Sequence, residues 1–120
     1  MSLYIDEKTF DISLTRGDTA IISVPLVKVT YIDGEPVETP YTPQPGDKLR
    51  FAMSDRYGAN RDQVLIYKDI PISTLVLQID PPDTKSLKFG KYKYDIEFTD
   101  AAGHVSTGIE AIFEVAKEVY

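Results

Sequence analysis

Hydrophobic and polar residues alternate along much of this chain, most sharply between residues 90 and 99. There Tyr92, Tyr94, Ile96 and Phe98 interleave with Lys91, Lys93, Asp95, Glu97 and Thr99. A period of two puts the rings and the aliphatic group on one face and the charges on the other, which predicts a half-wet strand. The same period predicts strands through Phe10, Ile12 and Leu14, through Leu49, Phe51 and Met53, and through Leu75, Leu77 and Ile79. It also predicts one long final strand, with Val105, Thr107, Ile109, Ala111, Phe113 and Val115 in a single phase. Two stretches lack a single phase. From Thr19 to Ile32 both faces are apolar, and the phase changes near Pro25, which predicts an edge position or a bulge. From Gln63 to Ile70, the run Val64, Leu65, Ile66 and Tyr67 defines no phase.

Turn chemistry separates these strands. Arg16-Gly17-Asp18 predicts a turn, with Gly17 for positive φ and Asp18 for local hydrogen bonding. Asp33-Gly34 predicts a two-residue hairpin. Pro40, Pro43 and Pro45 predict a stiff, extended connector. Residues 55–62 form a polar loop, and Asp100 to Gly103 a further turn. Asp80-Pro81-Pro82-Asp83 has the pattern of an N-cap followed by prolines in a first helical turn. It predicts one short helical turn near 82–87, with Leu87 or Phe89 dropping onto the core before Gly90 releases the chain. Residues 1–7 are expected to be a flexible arm, and 8–120 a single domain. The fold class that follows is all-β: a β-sandwich of about seven to eight mostly antiparallel strands.

Composition narrows the functional classes. The formal net charge is −6, which disfavours nucleic acid and anionic membrane surfaces as partners. Cysteine is absent, so no disulfide or thiolate site is available. Met1 to Lys8 lacks a basic stretch followed by an apolar core, so no signal peptide is expected, and no apolar run approaches the roughly 20 residues of a membrane helix.

Candidate chemistry is sparse. His104 is the single histidine and sits beside a turn glycine, which points to a solvated turn residue. The carboxylate pairs Asp95 with Glu97 and Glu110 with Glu114 share strand faces, which suits a solvated surface with Lys91 and Lys93 as neighbours. Asp33, Asp47, Asp55 and Asp62 could gather at one end to bind calcium, but they lack regular loop spacing. Arg16-Gly17-Asp18 matches an adhesion tripeptide and equally suits a hairpin turn. No catalytic residue, cofactor or metal is expected, and no enzymatic activity.

Gly90-Lys91-Tyr92-Lys93-Tyr94 resembles the Gly-x-Tyr-x-Cys pattern of immunoglobulin-like domains, with Tyr94 in place of the cysteine. The resemblance implies a tyrosine corner, in which Tyr92 reaches back to backbone in the preceding corner. Tyr94, deeper in the strand, has no corner role on this reading.

A wider likeness rests on Leu14-Thr15-Arg16-Gly17-Asp18-Thr19-Ala20, on Pro45-Gly46-Asp47-Lys48-Leu49-Arg50-Phe51, on Lys68-Asp69-Ile70, and on the stretch from Pro82 through Asp83 and Gly90 to Ile96. These segments resemble small tail proteins of phages and prophages of Gram-positive bacteria and are similar to the N-terminal domain of the baseplate upper protein. The resemblance implies an immunoglobulin-like sandwich and a non-enzymatic structural or adaptor role in a tail or baseplate. It also implies a virion location after synthesis in the bacterial cytoplasm. Partners would be other phage structural proteins, with self-association. Gly17, Asp18, Asp83, Gly90, Tyr92 and Tyr94 would serve structural roles. The alternative is a host-surface carbohydrate-binding module, for which Tyr31, Tyr41, Tyr57 and Tyr67 are the candidate aromatics.

Overall fold

Ten strands, a 3₁₀ turn (Arg61–Gln63) and one α-helical turn follow each other along the chain in a computed structural model that describes residues 3–5 and 9–118, with the backbone alone at 3–5, 28 and 29. The strands are β1 (Leu3–Ile5), β2 (Ile12–Thr15), β3 (Ala20–Ser23), β4 (Val27–Ile32), β5 (Glu35–Pro40), β6 (Lys48–Ser54), β7 (Ile66–Ile70), β8 (Val76–Ile79), β9 (Gly90–Thr99) and β10 (Val105–Ala116). The helical turn α1 (Pro81–Lys85) precedes β9. The protein is all-β. The strands outnumber the seven or eight expected, because the long apolar run splits at Pro25 and Leu3–Ile5 adds β1.

Six strands form one sheet in the order β1-β2-β10-β9-β6-β7. Every pairing in it is antiparallel except that of β10 with β2. Leu3–Ile5, inside the expected arm, forms β1 instead and pairs with Ile12–Leu14. Two further ribbons stand apart in hydrogen bonding, β3 with β8 and β4 with β5.

Most of the inward residues predicted from alternation are buried, with Phe10, Leu75, Tyr92, Phe98 and Ile109 half-buried against them. Ile12 and Leu14 of β2, Leu49, Phe51 and Met53 of β6, Tyr94 and Ile96 of β9, and Ala111, Phe113 and Val115 of β10 share one core with Ala20, Ile22, Leu77 and Ile79 of the β3–β8 ribbon. The register also settles β7, where Ile66 and Ile70 are the buried pair. Phe51, Tyr94 and Phe113, on three neighbouring strands, stack their rings at the centre, with centroids 5.2, 6.3 and 6.5 Å apart. Burying such aromatics is the largest single contribution to a core of this size.

The last strand departs from its expected single phase. Its register against β9 slips between Thr107 and Ile109, leaving Gly108 as an extra residue. Such a bulge reverses the alternation. Ser106 therefore pairs with Phe98, while Val105 lies 59% exposed instead of facing the core.

Candidate functional site

The corner between β8 and β9 holds most of the residues singled out in the sequence. α1 starts one residue earlier than expected, after Asp80 in extended conformation. The Asp80 N–H donates to the Asp83 carboxylate at 2.7 Å, and Lys68 from β7 pairs with that same carboxylate at 2.8 Å. Thr84 is fully buried, and its hydroxyl accepts the Gly17 N–H at 2.8 Å. Gly17 stands at φ +83°, where a side chain would be strained. The Asp18 N–H closes the turn onto the Thr15 carbonyl at 3.0 Å. The corner and the Arg16–Asp18 turn therefore form one unit.

Arg16 ties that unit to the end of the chain. Its guanidinium donates to Glu118 at 2.7 Å and to the Leu87 carbonyl at 3.3 Å, and lies 4.2 Å above the Phe89 ring. Committed in this way, it is not presented for adhesion. Of the two residues expected to reach the core, Leu87 packs against it, while Phe89 is 44% exposed beneath Arg16. Glu118 is held below the usual carboxylate range, first by its hydrogen bond from Arg16.

Tyr92 makes the corner bond. Its hydroxyl donates to the Lys88 carbonyl at 2.6 Å, just before Gly90 at φ +146°. Tyr94 also has a tethering role, which the sequence reading denied it. It is 3% exposed and donates to the Phe10 carbonyl. Both tyrosines thus bond backbone, and the more buried bond belongs to Tyr94. Nothing in the period-two pattern distinguishes a buried ring whose hydroxyl ends at a carbonyl from one that ends in solvent.

The loop aspartates stay apart. Asp47 is buried and accepts from the Gln44 N–H at 2.7 Å, the Tyr41 hydroxyl at 2.8 Å and the Ala101 N–H at 3.1 Å. Asp55 pairs with Arg56 at 2.7 Å. Asp33 lies at a hairpin tip and Asp62 in a 3₁₀ turn. Among the described residues, no three His, Cys, Asp or Glu side chains form a group able to hold a metal ion, and the gathering of Asp33, Asp47, Asp55 and Asp62 does not occur. His104 is an exposed turn residue whose ring lies 2.9 Å from Asp100. Asp95 and Glu97 both bind Arg50, the latter at 2.8 Å.

The candidate interaction surface is the β4–β5 hairpin. Its tip, Asp33-Gly34, has φ +52° and +81°, the left-handed pair that a two-residue turn requires. The apolar double face between Ile21 and Tyr31 is largely wet: Ile21 is 63%, Val27 51%, Tyr31 74% and Ile32 58% exposed. Among the described residues the hairpin pairs with no other strand. Its two edges differ. Ile32 and Glu35 flank the turn and form a hydrogen-bonded pair, so Tyr31 with Pro36 and Val27 with Pro40 are non-hydrogen-bonded pairs whose nitrogens point outward. Proline fills two of the three such positions on β5, Glu38 opposite Val29 being the third, and a proline nitrogen donates nothing. On β4 the outward groups at Val27 and Tyr31 keep their N–H. The β5 edge keeps one outward N–H, at Glu38, and is largely blocked, while the β4 edge is open.

Of the four candidate tyrosines, Tyr31 lies on this hairpin. Tyr41 packs edge-on against Phe98 at 5.5 Å. Tyr57 and Tyr67 line a common depression on the opposite side of the β6–β9 sheet from the core. No helix is long and apolar enough to cross a membrane among the described residues. A comparison of the sequence with models of known protein families finds no match, and a comparison with curated proteins finds none.

Proposed function

We propose that this chain is a non-enzymatic structural or adaptor component of a phage or prophage tail or baseplate, joined to its neighbours through the β4–β5 hairpin. The observation that carries the reading is that hairpin: an arm with apolar side chains on its surface and one open strand edge. Exposed apolar surface of this kind marks interfaces, and an unprotected edge is a template for strand addition. The first partner is a second copy of the chain. Two β4 edges pair antiparallel about a twofold axis, each placing Tyr31 against its partner, and such isologous contacts are the commonest in oligomers. The tail or baseplate setting comes from the sequence resemblance around the Arg16–Asp18 turn and the Asp80–Ile96 corner. The immunoglobulin-like sandwich belongs to the same proposal, supported by the Tyr92 corner bond and the core shared by sheet and ribbon.

Two measurements test this. Sedimentation equilibrium across a concentration series should give a dimer or larger assembly. Tyr31→Pro, which removes the outward N–H as proline does at Pro36, should give a monomer with an unchanged core. A strictly monomeric wild type at high concentration sinks the hairpin interface. Antibody labelling of intact virions, if it left tails and baseplates bare, would sink the particle role.

A further inference from the structure

The depression on the outer face of the sheet has a volume of about 340 Å³. Ala52 is its floor. In register it lies between Tyr67 on β7 and Asp95 on β9, and its single methyl leaves a gap between longer side chains. Residues 55–63 form its rim, held down by bonds from the Ser54 hydroxyl to the Gln63 carbonyl at 3.0 Å and from the Leu65 N–H to the Met53 carbonyl at 2.8 Å. The Tyr57 hydroxyl reaches the Ala111 carbonyl at 3.4 Å, so the rim spans the sheet.

The charge of this basin opposes that of the protein. Arg50, Arg56, Arg61 and Lys93 line it against one carboxylate, Asp95, in a chain of net charge −6. Arg50 and Arg56 already serve carboxylates, through Asp95 with Glu97 and through Asp55. Arg61 and Lys93 have no carboxylate partner among the described residues. Arg61 is instead held by the Tyr67 ring, 4.7 Å from its centroid. Tyr57 and Tyr67 stay 51% and 42% exposed. Two cations without a carboxylate partner among the described residues, one of them resting on Tyr67, and two half-exposed tyrosines therefore meet over a floor one methyl high.

We propose that this basin binds an acidic sugar unit, a sugar phosphate or a uronate, with Arg61 and Lys93 on the anionic group and Tyr57 and Tyr67 against the ring. Charge-assisted bonds select the anion, and aromatic faces suit the C–H side of a pyranose. The volume lies at the low end of small-molecule pockets and takes a single ring. The net charge of the whole chain repels a nucleic-acid polyanion, which needs an extended basic track. The site is independent of the hairpin interface, and each can fail without the other.

Titration of the ¹⁵N-labelled full chain tests it, using glucose 1-phosphate, glucuronate, glucose and inorganic phosphate as separate probes. At least one acidic sugar should shift the amides of residues 52–61 and 93–95 saturably, and the tighter of the two identifies the anion. Arg61→Gln combined with Lys93→Gln should weaken Kd by roughly tenfold or more, the loss of charge-assisted bonds, with the rest of the spectrum unchanged. Ala52→Leu, which fills the floor, should abolish binding, and the double variant decides if Ala52→Leu does not fold. Absence of shifts with both acidic sugars overturns the proposal. So does glucose or inorganic phosphate binding as tightly as the acidic sugars, or undiminished binding by the double variant.

Discussion

The hydroxyl of Tyr94 donates a hydrogen bond to the backbone carbonyl of Phe10, 84 residues earlier in the chain. Phe10 stands at φ +62°, a conformation rare for an aromatic residue, and the chain enters β2 directly after it. The bond therefore fixes a strained entry to the sheet from inside the core. Tyr94→Phe should cost about 1–3 kcal/mol, because a buried polar group loses its partner. Tyr92→Phe removes a bond at the surface, where water substitutes, and should cost about 0.5–1 kcal/mol. Urea melts of the two variants check the order, and a larger loss at Tyr92 would overturn it.

Alkaline pH should destabilise the protein through the same phenol. Burial, then the nearby Asp11 and Tyr57 charges, push Tyr94 well above its ordinary value of 10. Above that pH the unfolded chain gives up a proton that the folded chain retains, so stability falls as pH rises. Tyr41 is displaced in the same direction, first by its hydrogen bond to Asp47. Tyr94→Phe should therefore flatten the fall in urea midpoint between about pH 8 and about pH 11 without abolishing it.

At the acid end the sign reverses. Glu118 is depressed below its ordinary 4.5 by Arg16 and then by Lys85. Its contribution is present above that value and is lost as pH falls through the folded one. Glu118→Gln should be less stable than wild type near pH 7 and indistinguishable from it near about pH 3. A difference that persists in acid would mean that Glu118 acts through packing instead of charge.

Gly34 separates the arm from the core. At φ +81° a valine is strained by about 1 kcal/mol or more. Among the residues of 27–40 whose side chains are described, none belongs to the buried core. Gly34→Val should thus speed amide exchange across the hairpin while leaving the urea midpoint of the domain in place. A common shift of both would mean that arm and core unfold together.

What could be read from the residues follows from solvent contact. β9 has one wet face, so its alternation is written in charges, and its inward set was legible down to Tyr94 and Ile96. β4 is wet on both faces yet carries apolar residues, so its pattern points to burial where the hairpin is exposed. The Gly108 bulge adds one residue to an otherwise regular run, and a lone glycine does not reveal a change of phase. The basin on the outer face of the sheet draws Arg50, Arg61, Tyr67 and Lys93 from three strands and a 3₁₀ turn; only the register that seats Ala52 between Tyr67 and Asp95 brings them together. In the sequence its one signal is the pair Tyr57 and Tyr67, two of the four candidate aromatics for a carbohydrate surface. The corner was legible because Asp80, the two prolines and Gly90 act locally, each within a few residues of its effect.

The parallel pairing of β2 with β10 has a consequence in time. The Asp11 carboxylate accepts the N–H of Ile112, 101 residues later in synthesis. At ribosomal speeds the first strand of this pair exists for roughly 5–20 s before the second is made. Through that interval Ile12 and Leu14 have no β10 beside them, and β9, once made, has one of its two edges unpaired. Closure of the sheet between β2 and β9 thus waits for β10. A pause between Thr99 and Val105 leaves two sticky edges, one on β2 and one on β9, open on the same nascent chain.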